Sequence, residues 1–187
     1  MRRQYRQRLG RTVLQRLKFL DESGINRAMT RRYGRAPRGQ RAVGSVPENR
    51  GPNTTVLGIL GLSGVSAVAT LEGAINGTKF QNYVEQTLGP TLTAGDVVVM
   101  DNLPAHKVAG IAEAIQQRGA QLIYLPPYSP DLSPIELCWS KVKTYLGKAK
   151  ARNQENLETA LAQALATVTR SDAQNWFRHC GYALHPS

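Results

Sequence analysis

Four apolar residues in a row, Val97-Val-Val-Met100, stand between Asp96 and Asp101, and no other stretch restricts the fold as much. A run so short, rich in β-branched side chains and without alternation, suits a strand covered on both faces. Downstream, Gln121-Leu-Ile-Tyr-Leu125 forms a second strand, and the residues between them predict a helix over about 106–118, stopped by Gly119. A strand, a helix and a further strand predict parallel pairing through a crossover.

The remaining elements fall around this unit. Residues 16–21 alternate charged and apolar side chains and end on Asp21, with Ser23-Gly24 as the expected break. Residues 26–41 are Arg-rich and irregular. Two β-rich runs, 54–61 and 65–71, are joined by Gly61-Leu-Ser-Gly64 and predict an antiparallel hairpin. Phe80, Tyr83, Val84 and Leu88 recur at helical spacing in a helix over 76–88, closed by Gly89-Pro90. Pro126-Pro127-Tyr-Ser-Pro130 excludes helix. Pro134 suits the first turn of a helix reaching about residue 150, with Ser133 as its cap. Helices over 154–169 and 172–179 close the chain. The fold class is therefore α/β, a central five-stranded mixed sheet flanked by helices. Residues 1–15 are expected to be a basic linker or helix, and 16–187 the domain.

Charge bears on partners. The formal net charge is +11, and it is unevenly spread. Residues 1–50 hold 14 Lys and Arg against three acids, whereas 51–187 hold ten of each. So concentrated a basic block suits a polyanion such as nucleic acid, although a merely solvated basic surface has the same composition. The hydrophobic fraction of 41% is too high for a disordered chain. No apolar run approaches the roughly 20 residues of a membrane helix, so no membrane partner is expected. Cys138 and Cys180 have no metal-type spacing. A reducing cytoplasmic setting follows as an expectation.

Three acids fall at positions that matter on this map. Asp21 is placed at the end of the first strand, Asp101 at the end of the fourth, and Glu136 in the first turn of the helix after the fifth. Sites in open α/β sheets gather at the carboxyl ends of strands. Singly, each acid has an ordinary explanation, as a turn former or as a favourable charge at a helix start. Together they would repel unless cations lay between them, and oxygen-only ligation suits a hard ion such as Mg²⁺ or Mn²⁺. Glu22, Asp96 and Asp131 are the acids most easily confused with these three. Glu22 is expected on the opposite strand face from Asp21.

Four motifs resemble one family. They are Phe19-Leu-Asp-Glu-Ser-Gly24, Tyr33-Gly-Arg-Ala-Pro-Arg-Gly39, Val99-Met-Asp-Asn-Leu-Pro-Ala-His-Lys107 and Leu125-Pro-Pro-Tyr-Ser-Pro-Asp-Leu-Ser-Pro-Ile-Glu136. In this order they resemble the mariner-like bacterial insertion-sequence transposases of the ribonuclease H-like DDE superfamily, over about residues 16–182. The 34 residues between Asp101 and Glu136 agree with the Asp-Asp-Glu form of that group. Pro104 and Ser133 stand where Gly and Asn are more usual.

The resemblance implies a ribonuclease H-like DDE domain in which Asp21, Asp101 and Glu136 are the catalytic, metal-binding acids, with two Mg²⁺ or Mn²⁺ ions. It implies cleavage at transposon terminal inverted repeats and joining of 3′ hydroxyl ends to a TA target. It also implies a homodimer acting at the bacterial nucleoid. Similar full-length enzymes carry helix-turn-helix modules upstream, and none is expected within residues 1–187. A second reading frame, a truncated copy, or a separate helix-turn-helix subunit is the corresponding expectation. A non-autonomous DNA-binding or regulatory fragment is the reading from another class, and a plain ribonuclease H-like nuclease is the other enzymatic one.

Further residues are candidates at a lower level. Arg31, Arg32, Arg35 and Arg38 form a dense cluster suited to gripping DNA phosphates. Lys107, Lys141 and Lys143 are candidate DNA contacts, with a solvated helix face as the plain explanation of each. Asn102 and His106 flank Asp101 and are expected to support it. Trp139 is expected to fix the helix that carries Glu136.

Overall fold

The computed structural model describes residues 1–10, 12–31, 33–102 and 110–182. A central sheet of five strands has the order β3-β2-β1-β4-β5. Its strands are β1 (Leu17–Ile25), β2 (Thr54–Gly61), β3 (Gly64–Glu72), β4 (Val97–Met100) and β5 (Gln121–Tyr124). The first three pair antiparallel, while β1–β4 and β4–β5 pair parallel, so the sheet is mixed as expected. β1 is the middle strand, and the pairing direction changes across it.

Helices cover both faces. On one side lie α1 (Arg2–Leu9), α4 (Pro134–Ala149), α5 (Gln154–Ala166) and α6 (Arg170–His179). They share a core with Leu17, Phe19, Val97, Val99 and Ile123. On the other side, α2 (Gly77–Tyr83) and α3 (Ile111–Gln116) enclose Leu20, Leu57, Val98 and Met100. Alternate residues of one strand thus feed opposite cores, which is the period-two consequence of the pleat. Val97-Val-Val-Met100 is buried throughout because both of its faces are covered.

Several local expectations change in the folded chain. β1 does not break at Ser23-Gly24: it continues to Ile25, paired residue for residue with β2 as far as Ile25↔Thr54. Two turn-forming residues are overridden there by a long antiparallel ladder and by burial of Ile25. Asp21 consequently lies mid-strand, not at the strand's end. Ser133 occupies the N-cap position of α4, but its side chain makes no capping hydrogen bond; its carbonyl accepts from the Glu136 N–H at 3.2 Å. The helix expected over 76–88 is α only to Tyr83, and its last turn, Val84–Leu88, is a wider π turn.

The first residues pack on the body. Tyr5 and Leu9 of α1 enter the larger core, and the Tyr5 and Tyr182 hydroxyls lie 2.7 Å apart. T-shaped packing of Phe19 on Phe177, centroids 5.3 Å apart, ties β1 to α6.

Candidate active site

β1 and β4 pair from Leu17↔Val97 to Phe19↔Val99, and then the ladder stops. Carried two residues further, the same register would set Asp21 level with Asp101. Beyond Phe19, β1 continues along β2 alone, so a crevice opens on its β4 side. Asp21 stands at its mouth from β1, and Asp101 directly follows β4. By alternation, Asp21 shares a face with Leu17 and Phe19, the face on which α4 lies. Glu22 falls to the other face by the same rule.

Glu136 sits in the first turn of α4, which packs on β1 and β2. One feature of β2 lets the helix come close. Gly58 pairs with Asp21, and a Cβ there would lie 3.3 Å from Trp139 Cη2 and 3.5 Å from Val68 Cγ2. Trp139, buried three residues after Glu136, therefore rests over the strand position beside Asp21. At the same level the β2–β3 register shifts between Leu57 and Ile59, and Ala67 takes φ 49°. Such bulges commonly adjoin active sites. The Tyr83 hydroxyl donates to the Ala67 carbonyl at 2.7 Å and anchors this one.

All three acids line one cavity of about 390 Å³, together with Asn102, Ser133 and the loop Leu125–Pro130. Asp21 and Asp101 are half-buried, and Glu136 is exposed. Burial pushes the Asp21 carboxyl up to about 8, and the negative charges of Glu136, Glu22 and Asp101 push the same way. In the metal-free protein Asp21 thus resists ionising at neutral pH, the behaviour of a carboxylate that lacks a cation. The donor set, oxygen only, fits a hard divalent ion. Among the described residues no three His, Cys, Asp or Glu side chains gather tightly enough to enclose an ion by themselves. A crevice with spread carboxylates suits an ion shared between protein and substrate phosphate, as Mg²⁺ commonly is.

A family model described as DDE superfamily endonuclease matches residues 16–158. The chain belongs to the DDE superfamily of endonucleases. The Tc1 transposase of Caenorhabditis elegans is 26% identical over 125 residues, 65% of this chain and 46% of that protein. The chain spans about half the length of the curated relatives it matches. A pre-cleavage Mos1 transpososome has TM-score 0.74 at 17% identity, over 98% of this chain and 61% of that one. The mariner Mos1 paired end complex with Mg gives TM-score 0.69 at 18% identity, over 96% of this chain and 57% of that one. These likenesses show the fold, which is ribonuclease H-like.

Of the other candidate residues of this DDE chain, Asn102 lines the crevice, and the rest do not line it or lie outside the described residues. Arg32, His106 and Lys107 belong to the latter. Arg31, Arg35 and Arg38 are fully outside the core, in an exposed arm between β1 and β2. The arm is tied down at its root, where Arg152 donates to the Arg27 carbonyl at 2.8 Å and to the Met29 carbonyl at 3.2 Å. Lys141 is engaged elsewhere: its Nζ is 2.7 Å from Asp172 and donates to the Thr167 carbonyl at 2.8 Å, joining α4 to α6. Lys143 is exposed on α4. Of the acids set aside, Asp96 is buried at the start of β4, accepts from the Thr93 N–H at 2.9 Å and faces Arg16 and Lys18 at 3.7 Å. Asp131 takes both Arg2 guanidinium nitrogens at 2.8 Å, which holds its carboxyl below the usual range.

Sequence reasoning missed Gly58, the bulge at Ala67 and the clamp of Arg2 on Asp131. A lone glycine inside an otherwise apolar β run was the one available signal, since it marks a bulge or a close approach. Among the described residues no helix is long and apolar enough to cross a membrane.

Proposed function

We propose that this chain performs the DNA cleavage and strand-transfer chemistry of a transposase, with Asp21, Asp101 and Glu136 as its metal-binding catalytic acids. The observation that carries this is their convergence on one cavity at the point where the β1–β4 ladder opens, in a chain of the DDE family. Two divalent ions, Mg²⁺ or Mn²⁺, would neutralise phosphate charge there and activate the attacking oxygen.

The chain's own residues then have defined tasks. β1, paired along β2, carries Asp21, and Asp101 directly follows β4, which is paired on both sides; a site of this kind needs such a mount. α4, set by Trp139 over Gly58, brings Glu136 to the same opening. The Leu125–Pro130 loop lines the same cavity as the three acids. No side chain acts as nucleophile. Water attacks phosphorus in cutting, the P–O3′ bond breaks, and the 3′ oxygen leaves. In joining, a DNA 3′ hydroxyl attacks instead.

The wider grip on DNA comes from the basic first fifty residues: Arg31, Arg35 and Arg38 are exposed on the arm, and Arg32 of the same cluster joins them as a candidate contact. Lys107 and Lys143 are further candidate contacts, and Asn102 and His106 support Asp101. Transposon terminal inverted repeats and a TA target are the expected DNA partners. A homodimer, with end recognition by a separate helix-turn-helix subunit or an upstream reading-frame product, completes the reading. A nucleoid location in the cytoplasm goes with it.

The test is a strand-transfer assay. Pre-cut ends bearing a 3′ hydroxyl are incubated with a supercoiled, TA-containing plasmid in Mg²⁺ or Mn²⁺. Joining by the wild type that Asp101→Asn abolishes is the expected result. Tight, salt-sensitive DNA binding without joining by either protein would replace the enzyme with a DNA-binding fragment.

A further inference from the structure

Tyr128 is fully exposed, at 100% of its reference area, and it lines the same cavity as the three acids. Every other aromatic side chain among the described residues, Tyr33 excepted, is buried or half-buried. Its backbone is also unusual, with φ 53°, a left-handed conformation that bulky residues rarely adopt. An exposed ring contributes no core packing that would account for the unfavourable backbone. Outliers of this kind cluster at ligand clamps and active sites.

The mount beneath the ring is rigid. The loop leaves β5 through the Leu125 N–H, which donates to the Met100 carbonyl at 2.8 Å, immediately before Asp101. Pro126 and Pro127 precede the tyrosine and Pro130 follows it. Buried Ser129 donates from Oγ to the Pro127 carbonyl at 3.2 Å, and the Leu132 N–H closes a turn on the Ser129 carbonyl at 3.1 Å. The far side is held by Tyr182, whose hydroxyl donates to the Leu132 carbonyl at 2.7 Å, and by the Arg2 fork on Asp131. Prolines and tertiary contacts thus fix the backbone on both sides of one outward ring.

We propose that Tyr128 is a nucleobase platform: its ring stacks on an unpaired base of the strand whose phosphate occupies the carboxylate crevice. The inference rests on the reading of that crevice as a DNA-cutting site. Stacking suits an enzyme that meets many sequences, because every base offers a π face. It also requires the base to be free of its partner, so the DNA must be locally opened beside the scissile phosphate. A flat ring on a stiff loop loses little freedom on binding.

The experiment compares wild type with Tyr128→Ala, Tyr128→Phe and Tyr128→Trp in Ca²⁺, by anisotropy of a labelled duplex. Its short 3′ overhang is either thymidines or abasic sugars, with identical phosphates. The wild type should prefer the thymidine overhang by about fivefold or more, the scale of one stacked base. Tyr128→Ala should erase that preference with no change in Tm, while the Phe and Trp variants keep it. A preference that survives in Tyr128→Ala overturns the platform, and its loss in Tyr128→Phe as well assigns the effect to the hydroxyl instead of the ring. Cutting of the same duplex in Mn²⁺, abolished by Asp101→Asn, is read in parallel. If cutting holds while the preference is insensitive to Tyr128, only the platform falls. If neither duplex is bound or cut, both readings fall.

Discussion

The carboxylate crevice and the arginine arm are opposite solutions to handling the same polyanion. In the crevice, Asp21 and Asp101 hang from the middle of a sheet, and Trp139, buried against Gly58, sets the helix that carries Glu136. In the arm, every described residue from 31 to 50 except Pro47 is exposed, and the described residues there form no strand or helix. Chemistry at phosphorus depends on placement to fractions of an ångström, so it is mounted on ladders and a packed helix. Attraction of phosphate depends on charge density over many ångströms, and an arm without a core supplies it.

Removing an acid should break the comparison most sharply. Asp101→Asn should cut metal-dependent cleavage roughly 10³-fold or more, as losing a member of a catalytic unit does. DNA affinity and salt dependence, set by the arm, should be kept; a parallel loss in a filter-binding assay would show that the crevice also carries the grip. Trp139→Ala comes next. Truncating a buried tryptophan costs about 3–5 kcal/mol, visible in urea unfolding, and here it should also unseat Glu136 and lower cleavage at temperatures where the fold persists. Normal turnover in the folded variant would separate the helix mount from the chemistry.

The converse variant sharpens the contrast. Arg31→Ala, Arg35→Ala and Arg38→Ala combined should weaken DNA binding about 10- to 100-fold at moderate salt. The slope of log affinity against log salt should fall by about one for each phosphate that the arm no longer neutralises, with the rate at saturating DNA unchanged. A changed rate at saturation would place the arm in the crevice.

A smaller effect concerns pH. Asp21 titrates near 8 when folded against the ordinary carboxylate value when unfolded. A raised folded value means the unfolded chain gives up this proton first. Stability of the metal-free protein is therefore full below about pH 4 as far as Asp21 is concerned, and declines as pH rises through about 8. Asp21→Asn should flatten that decline and raise the metal-free Tm at pH 8 by several degrees, each kcal/mol being worth roughly 2–4 °C at this chain length. Equal profiles for the two proteins, measured by thermal melts in EDTA, would remove burial and crowding of Asp21 as the cause. Smallest of all, Lys141→Ala should cost about 1 kcal/mol or less by freeing Asp172 and leave DNA affinity unchanged.

Legibility in the sequence followed the range of the interactions involved. The span of β2 was readable to the residue, and the start of α4 at Pro134 too, because glycine and proline act on their own backbone. The end of β1 was not: Ser23-Gly24 signals a turn locally, but ladder bonds to β2, more than thirty residues away, hold it extended. Lys141 looked like a free cation on a helix face until Asp172 arrived from α6. Arg2 belonged to a stretch expected as a basic linker or helix; it lies in α1 and grips Asp131 across the fold, a contact that local sequence does not signal.

The sequence alone determined the alternation of strands and helices, the mixed sheet, the confinement of excess charge to one end, and the motifs that mark the family. These properties are written in local periodicity, composition and order. Only the tertiary structure decided that the β1–β4 ladder ends just before the two aspartates, that a glycine and a bulge admit Trp139 beside Asp21, and that Tyr128 faces outward over the same cavity. Each of those depends on register and on contacts between segments far apart in the chain, and no local preference of a residue encodes them.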